Sequence, residues 1–186
     1  MGIEQDYGKA LTQFRKEKDD FLRESAQSPI PEAERATFAG LKYYPPFFAL
    51  RQEVQIEKLP AGDHIEFATS DGAKRLYTRF CTIRFTIEGQ ELSLFGYHTA
   101  DDPDAEDEGI FIPFRDALSG KETYGAGRYL EVQEEHEHGG VPFAILDFNL
   151  AYNPYCAYND EYSCPITPAE NTLPIAIYAG ERNYHE

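Results

Sequence analysis

Leu76-Tyr77-Thr78-Arg79-Phe80-Cys81-Thr82-Ile83-Arg84-Phe85-Thr86-Ile87-Glu88-Gly89-Gln90-Glu91-Leu92-Ser93-Leu94 decides the fold class. Ile83, Phe85 and Ile87 alternate with Thr82, Arg84 and Thr86, the period-two pattern of a half-buried strand. Gly89 supplies a turn, and Leu92, Leu94 and Gly96 carry the chain back as an antiparallel neighbour. Working outward, Asp71-Gly72 marks a hairpin turn from a short strand at Ile65-Glu66-Phe67. Phe48, Leu50, Val54, Ile56 and Leu59 suggest an earlier strand or pair. Downstream, Ile110–Phe114, residues 122–132, residues 141–149 and Thr172–Gly180 read as further strands. Residues 141–149 are apolar on both faces, which predicts a central strand.

Before this β-rich body the period is that of a helix. Tyr7, Leu11, Phe14, Phe21 and Leu22 share one side of residues 4–25, while Lys16, Glu17, Asp19 and Asp20 face outward. Ser28-Pro29-Ile30-Pro31 ends the helix. The expected architecture is mainly β (α+β): a compact antiparallel barrel or sandwich of roughly eight to ten strands with the amphipathic N-terminal helix packed on it. All 186 residues are read as a single domain, a helix at 1–28 and the β-rich body at 47–186.

Charge bounds the partners. Asp and Glu number 33 against 17 Lys and Arg, giving a net charge of -16. Such a field repels nucleic acid and anionic lipid, so neither is an expected partner. Acid spread along the whole chain reads as adaptation to concentrated salt, where screening relieves self-repulsion. Neither a secretory leader nor a membrane-spanning run is legible, and an odd cysteine count is no disulfide framework. The expectation is a cytoplasmic protein with reduced thiols.

Chemistry concentrates in Leu146-Asp147-Phe148-Asn149-Leu150-Ala151-Tyr152-Asn153-Pro154-Tyr155-Cys156. Asp147 closes a buried strand, and a carboxylate there must be paired, hydrogen-bonded or protonated. Arg128 is the expected partner, either as a pair that fixes strand register or as an orienting pair beside a pocket, with Asp147 as base or ligand anchor. Glu170 or Glu181 could complete an acid-base pair. Asn149, Asn153 and Asn171 suit a sugar, a nucleobase or an oxyanion, and equally cap turns. Tyr124, Tyr129, Tyr152 and Tyr155 could wall a pocket or fill the core. Cys156 and Cys164 fit no zinc spacing; they read as buried structural thiols, a disulfide, or a nucleophile needing a cation or His, for which Arg182 and His185 are nearest in sequence.

Two other clusters read more simply. Asp101–Glu108 lacks the glycine and terminal glutamate of a calcium loop and reads as a solvated acidic loop. His136 and His138 lack a third ligand and read as part of another. Gly125 and Gly127 share a strand face, leaving space for close approach by backbone or ring. No metal and no cofactor is expected.

Phe114-Arg115-Asp116, Gly120-Lys121-Glu122-Thr123-Tyr124-Gly125-Ala126-Gly127-Arg128-Tyr129-Leu130, Leu146-Asp147-Phe148-Asn149, Ala151-Tyr152-Asn153-Pro154, Cys164-Pro165, Glu170-Asn171 and Ala179-Gly180-Glu181 together resemble the 1684 family of domains of unknown function. The resemblance covers most of the chain. It implies that the Gly-x-Gly-Arg-Tyr and Asp-Phe-Asn segments belong to one site, and it transfers no activity. Leu118, Leu150 and Tyr155 depart from the family's usual Thr, Arg and Pro; Leu150 removes a cation, which weakens any phosphate-gripping role. Two functional expectations follow. One is binding or processing of a small polar molecule by cofactor-independent hydrolytic or acid-base chemistry, with Asp147 or Glu170 as base and Arg128 neutralising charge. The other is a non-catalytic module, binding a ligand or a protein, in which the same residues only hold strands and loop together.

Overall fold

The computed structural model describes residues 2–60, 62–100, 109–136 and 140–185. A 22-residue helix, α1 (Ile3–Glu24), and a single turn, α2 (Glu32–Arg35), precede seven strands: β1 (Arg51–Lys58), β2 (His64–Ala68), β3 (Lys74–Ile87), β4 (Gln90–Thr99), β5 (Ile110–Phe114), β6 (Arg128–Val132) and β7 (Phe143–Asp147). The strands form one antiparallel sheet in the order β6-β5-β4-β3-β1-β7, with β2 beside the outer half of β3. The sheet curls into a half-barrel. Among the described residues no helix is long and apolar enough to cross a membrane.

The β3–β4 hairpin forms as its pattern demands, from Ile87 opposite Gln90 back to Tyr77 opposite Thr99, with one register shift between Arg79 and Cys81. Its two-residue turn needs positive φ at both positions, and Glu88 (52°) and Gly89 (78°) supply them. Ile83, Leu94, Ile112, Leu130, Ala144 and Leu146 bury their inward faces in one continuous core.

Three strand expectations change. β6 begins only at Arg128: residues 118–127 are spent in turns, and Gly127 (φ 105°) redirects the chain. A Cβ on Gly127 would lie 2.7 Å from the Phe114 carbonyl, so close backbone approach does occur there, whereas Gly125 merely rests on Gly120. β7 ladders only with β1 and ends the sheet path, its other edge meeting a single isolated bridge between Phe143 and Glu135; it is not central. Thr172–Gly180 is a strap, not a strand. It touches the sheet through isolated pairings such as Arg115–Thr172 and sends the carbonyls of Ile177 and Ala179 to a side chain described below. These changes leave seven strands among the described residues where more were expected.

α1 is held by a narrower apolar seam than its pattern suggests. Leu11 and Leu22 are buried, but Phe14 is 49% and Phe21 38% exposed. Polar contacts complete the docking: Arg15 donates to the carbonyls of Tyr44 (2.9 Å) and Asn149 (3.3 Å), Lys18 pairs with Glu181, and Asp19 accepts from the Leu41 amide (3.0 Å).

Candidate functional site

Arg128 opens β6 and is 1% exposed. Its partner is Asp116, not Asp147: Nη2 donates to Asp116 Oδ2 (3.1 Å) and the Ile177 carbonyl (3.1 Å), and Nη1 to the carbonyls of Ala179 and Glu181. Asp116 is saturated in turn by the Ile177 amide (2.9 Å), the Leu118 amide and the hydroxyls of Ser119 and Thr123. Burial pulls the guanidinium pKa down and Asp116 pulls it back up. The turn at Gly127 aims Arg128 at the strap, away from β7.

Asp147 and Asn149 do emerge together at the end of β7, and they close on the N-terminal segments instead of a cavity. Asp147 Oδ1 accepts from the amide and side chain of Asn149 (both 3.0 Å), while Oδ2 accepts from the Tyr7 hydroxyl (2.7 Å) and lies 3.6 Å from Arg51 Nε. Burial, then the bond to Asp147, holds the Tyr7 phenol strongly protonated. Asn149 grips Phe47 at two points, accepting from its amide (2.8 Å) and donating to its carbonyl (2.9 Å). Asn171 treats Phe95 the same way (2.8 and 2.9 Å) and adds the Pro113 carbonyl (2.7 Å), stitching β4 to β5. These amides replace strand neighbours, which is neither turn capping nor ligand reading.

Glu170 accepts from Arg79 (2.7 Å) and the Tyr97 hydroxyl (2.6 Å), far from any pairing with Asp147. Glu181, 1% exposed, gathers Lys18, the Tyr158 hydroxyl and the Asn153 amide (2.8 Å). Asn153 also donates to the Arg182 carbonyl (2.8 Å). His136 pairs with Glu134 (2.9 Å); His138 and the acidic loop 101–108 lie outside the described residues.

A solvent-open groove of about 530 Å³ lies between α1 and the segment 152–165. Phe14, Lys18 and Phe21 form its helix wall, Tyr129, Tyr152, Pro154 and Tyr155 its floor and near edge, and Arg75, Tyr162, Cys164 and Pro165 the far edge. Tyr129 and Tyr152 are locked by a reciprocal backbone pair (2.8 and 3.0 Å), and the Tyr129 hydroxyl donates to the Pro165 carbonyl. Lys18 sits 5.0 Å over the Tyr152 ring. Arg75 Nη2 donates to the Ser163 carbonyl (2.8 Å) and has no carboxylate partner among the described residues.

Beside the groove, Cys156 and Cys164 are free thiols in contact. The Cys156 amide donates to Cys164 Sγ (3.3 Å), and Tyr124 Oη lies 3.6 Å from Cys156 Sγ. Hydrogen bonds from the Cys164 thiol, Tyr124 and Ser70 outweigh burial and bring the Cys156 thiol down to about 6. Cys164 moves up as the donor of the pair. Arg182 and His185 are engaged elsewhere, with Glu122 (3.3 Å) and the Tyr184 ring.

Residues 36–182 match the family described as Protein of unknown function (DUF1684). The chain belongs to DUF1684. It is also similar to an uncharacterised protein of Haloarcula marismortui solved by solution NMR, at 37% identity over 98% of this chain and 97% of that one, with a TM-score of 0.73. No curated protein matches the sequence.

Of the two motifs expected to share a site, the DUF1684 chain brings together Tyr129 and Tyr152 but not Arg128 and Asp147. The groove drew on residues that the sequence reading did not place at a site: Phe14 and Phe21, Lys18, Arg75, Tyr162 and Ser163. One signal was present. Phe14, Lys18 and Phe21 are four and three apart, one stripe along α1, distinct from the seam of Leu11 and Leu22.

Proposed function

We propose that this DUF1684 chain is a ligand-binding module whose groove takes a small molecule with a flat apolar body and an anionic end, the polar motif residues serving as its frame. The observation that carries the reading is the groove itself. Exposed Phe14, Phe21 and Tyr155 line a concavity edged by Arg75 in a chain whose net charge is -16. Concave, mainly aromatic surfaces with one or two placed charges are the usual form of small-molecule sites. A guanidinium without a carboxylate at such a rim favours an anion. An acid-base role for Asp147 asks for a lone pair facing a cavity, whereas its oxygens are occupied by Tyr7 and Asn149. The acidic surface supports the further reading of salt adaptation, tested by a urea midpoint that rises with potassium chloride.

The probe for the groove is anilinonaphthalene sulfonate, compared by fluorescence titration with uncharged phenylnaphthylamine. Both should bind, the sulfonate about three- to tenfold tighter at moderate salt, a preference worth about 1 kcal/mol. Arg75→Ala should erase the preference, and Phe14→Ser should weaken both. Binding that ignores both substitutions would remove the small-molecule reading. Self-association relieved by Phe14→Ser would instead mark the face as a protein contact.

A further inference from the structure

We infer that Cys156 and Cys164 are a redox-active dithiol, oxidised by a hydroperoxide to an intramolecular disulfide. The placement of both backbones points there. Cys156 lies in a one-turn helix, Tyr155–Ala157, set by the Pro154 carbonyl. Cys164 is pinned across from the β2–β3 turn: its amide donates to Ser70 Oγ (3.0 Å) and its carbonyl accepts from the Ser70 amide (2.9 Å). The Cys156 amide already donates to Cys164 Sγ (3.3 Å), with Cys156 half-buried and Cys164 buried at the groove edge. Attacker and resolving thiol are thus told apart by exposure.

The third cysteine gives the contrast within one molecule. Cys81 is fully buried among apolar side chains of β3, and burial pushes its thiol up to about 12. Cys156 instead lies among the polar groups of Cys164, Tyr124 and Ser70, which favour its thiolate. Among the described residues no third His, Cys, Asp or Glu joins the pair in a metal-holding group.

The reaction balances without further parts. The Cys156 thiolate attacks one peroxide oxygen, the O–O bond breaks, and the leaving alkoxide takes a proton to become an alcohol, leaving a sulfenic acid. The Cys164 thiol gives up its proton, its sulfur bonds to Cys156 Sγ, and the sulfenic oxygen leaves as water. The two thiols supply the two electrons. An external dithiol reverses the bridge by exchange.

The inference does not depend on what the groove binds, and its test needs no groove ligand. On the full-length native protein at pH 7, iodoacetamide should modify Cys156 roughly a hundredfold faster than Cys81. One equivalent of hydrogen peroxide should remove two alkylatable thiols and yield a peptide cross-linked between 156 and 164. Cys164→Ser should halt at a sulfenic acid on Cys156 that a cyclic dione captures. Equal slow alkylation of all three thiols, cross-links only between molecules, or no dione adduct on a folded Cys164→Ser would each overturn the inference. Were that variant unfolded, the cross-link map of the unsubstituted chain decides alone.

Discussion

Two arginines on the same sheet live in opposite surroundings. Arg128 is sealed, with four acceptors around its guanidinium, three of them main-chain carbonyls at Ile177 and Ala179 in the strap and at Glu181 just after it. Arg75 is exposed at the rim of an aromatic groove, bonded to a single carbonyl. The sealed region holds nearly all the residues whose chemistry is conspicuous in the sequence, while the open one is walled by ordinary tyrosines and phenylalanines. Buried backbone groups need partners wherever they fall. A β domain whose last segment forms no ladder must supply those partners from side chains. The carbonyls at 177, 179 and 181 point one way with the period of a strand, and Arg128 stands where a neighbouring strand would. Asn149 and Asn171 do the same for Phe47 and Phe95, each offering one donor and one acceptor.

The largest test of this contrast is Arg128→Met. It leaves the Asp116 charge buried without its cation and frees the strap carbonyls, so stability should fall by about 3–5 kcal/mol in urea. A loss under 1 kcal/mol would mean the strap is held by its apolar contacts. Asn171→Leu comes next. Removing both halves of the grip on Phe95 leaves buried backbone groups unpaired, for an expected loss of about 2–3 kcal/mol, with Asn149→Leu somewhat milder because Phe47 is half exposed.

Asp147→Asn sharpens the comparison from the other side. The amide keeps the shape but weakens the acceptor for Tyr7 and Arg51, at an expected cost of about 1–2 kcal/mol. Binding of the naphthalene sulfonate should stay within about twofold, since Asp147 does not line the groove. Lost binding in a folded Asp147→Asn protein would dissolve the distinction between frame and groove. Tyr155→Ala should do the reverse, moving stability by less than about 0.5 kcal/mol while weakening the probe several-fold.

How much of this was legible beforehand divides along the same line. The β3–β4 hairpin, the β5 segment and α1 could be read because alternation and helical period are local properties of neighbouring residues. The strap could not: Leu173, Ile175 and Ile177 alternate like a strand, and only the distant Arg128 decides that their carbonyls meet a side chain. Likewise Asp147 was visible as a carboxylate needing a partner, but whether Arg128 or Tyr7 reaches it depends on where Gly127 turns the chain. Phe14 and Phe21 misled for a simpler reason. An aromatic on a helix's apolar side looks the same whether the neighbouring surface is flush against it or recessed into a groove.

The smallest expected effect is a dependence of stability on pH, and its sign separates the dithiol from the buried frame. Cys156, lowered to about 6 in the folded chain from an ordinary 9.0, favours the folded state when ionised. Its contribution is complete above the unfolded value and disappears as pH falls through about 6. Cys164 is raised and has the opposite sign: it subtracts stability once unfolded thiols begin to ionise near 9.0. The pair together should give a shallow rise from pH 6 that levels off near pH 9, discounted because Cys156 is partly solvated. Urea midpoints of the parent and Cys156→Ser should therefore differ more at pH 8 than at pH 5. Tyr124→Phe should narrow that difference and move the pH midpoint of Cys156 alkylation upward, by removing one donor to the thiolate. Parallel midpoints at both pH values would return Cys156 to the company of Cys81, as a thiol that only fills space.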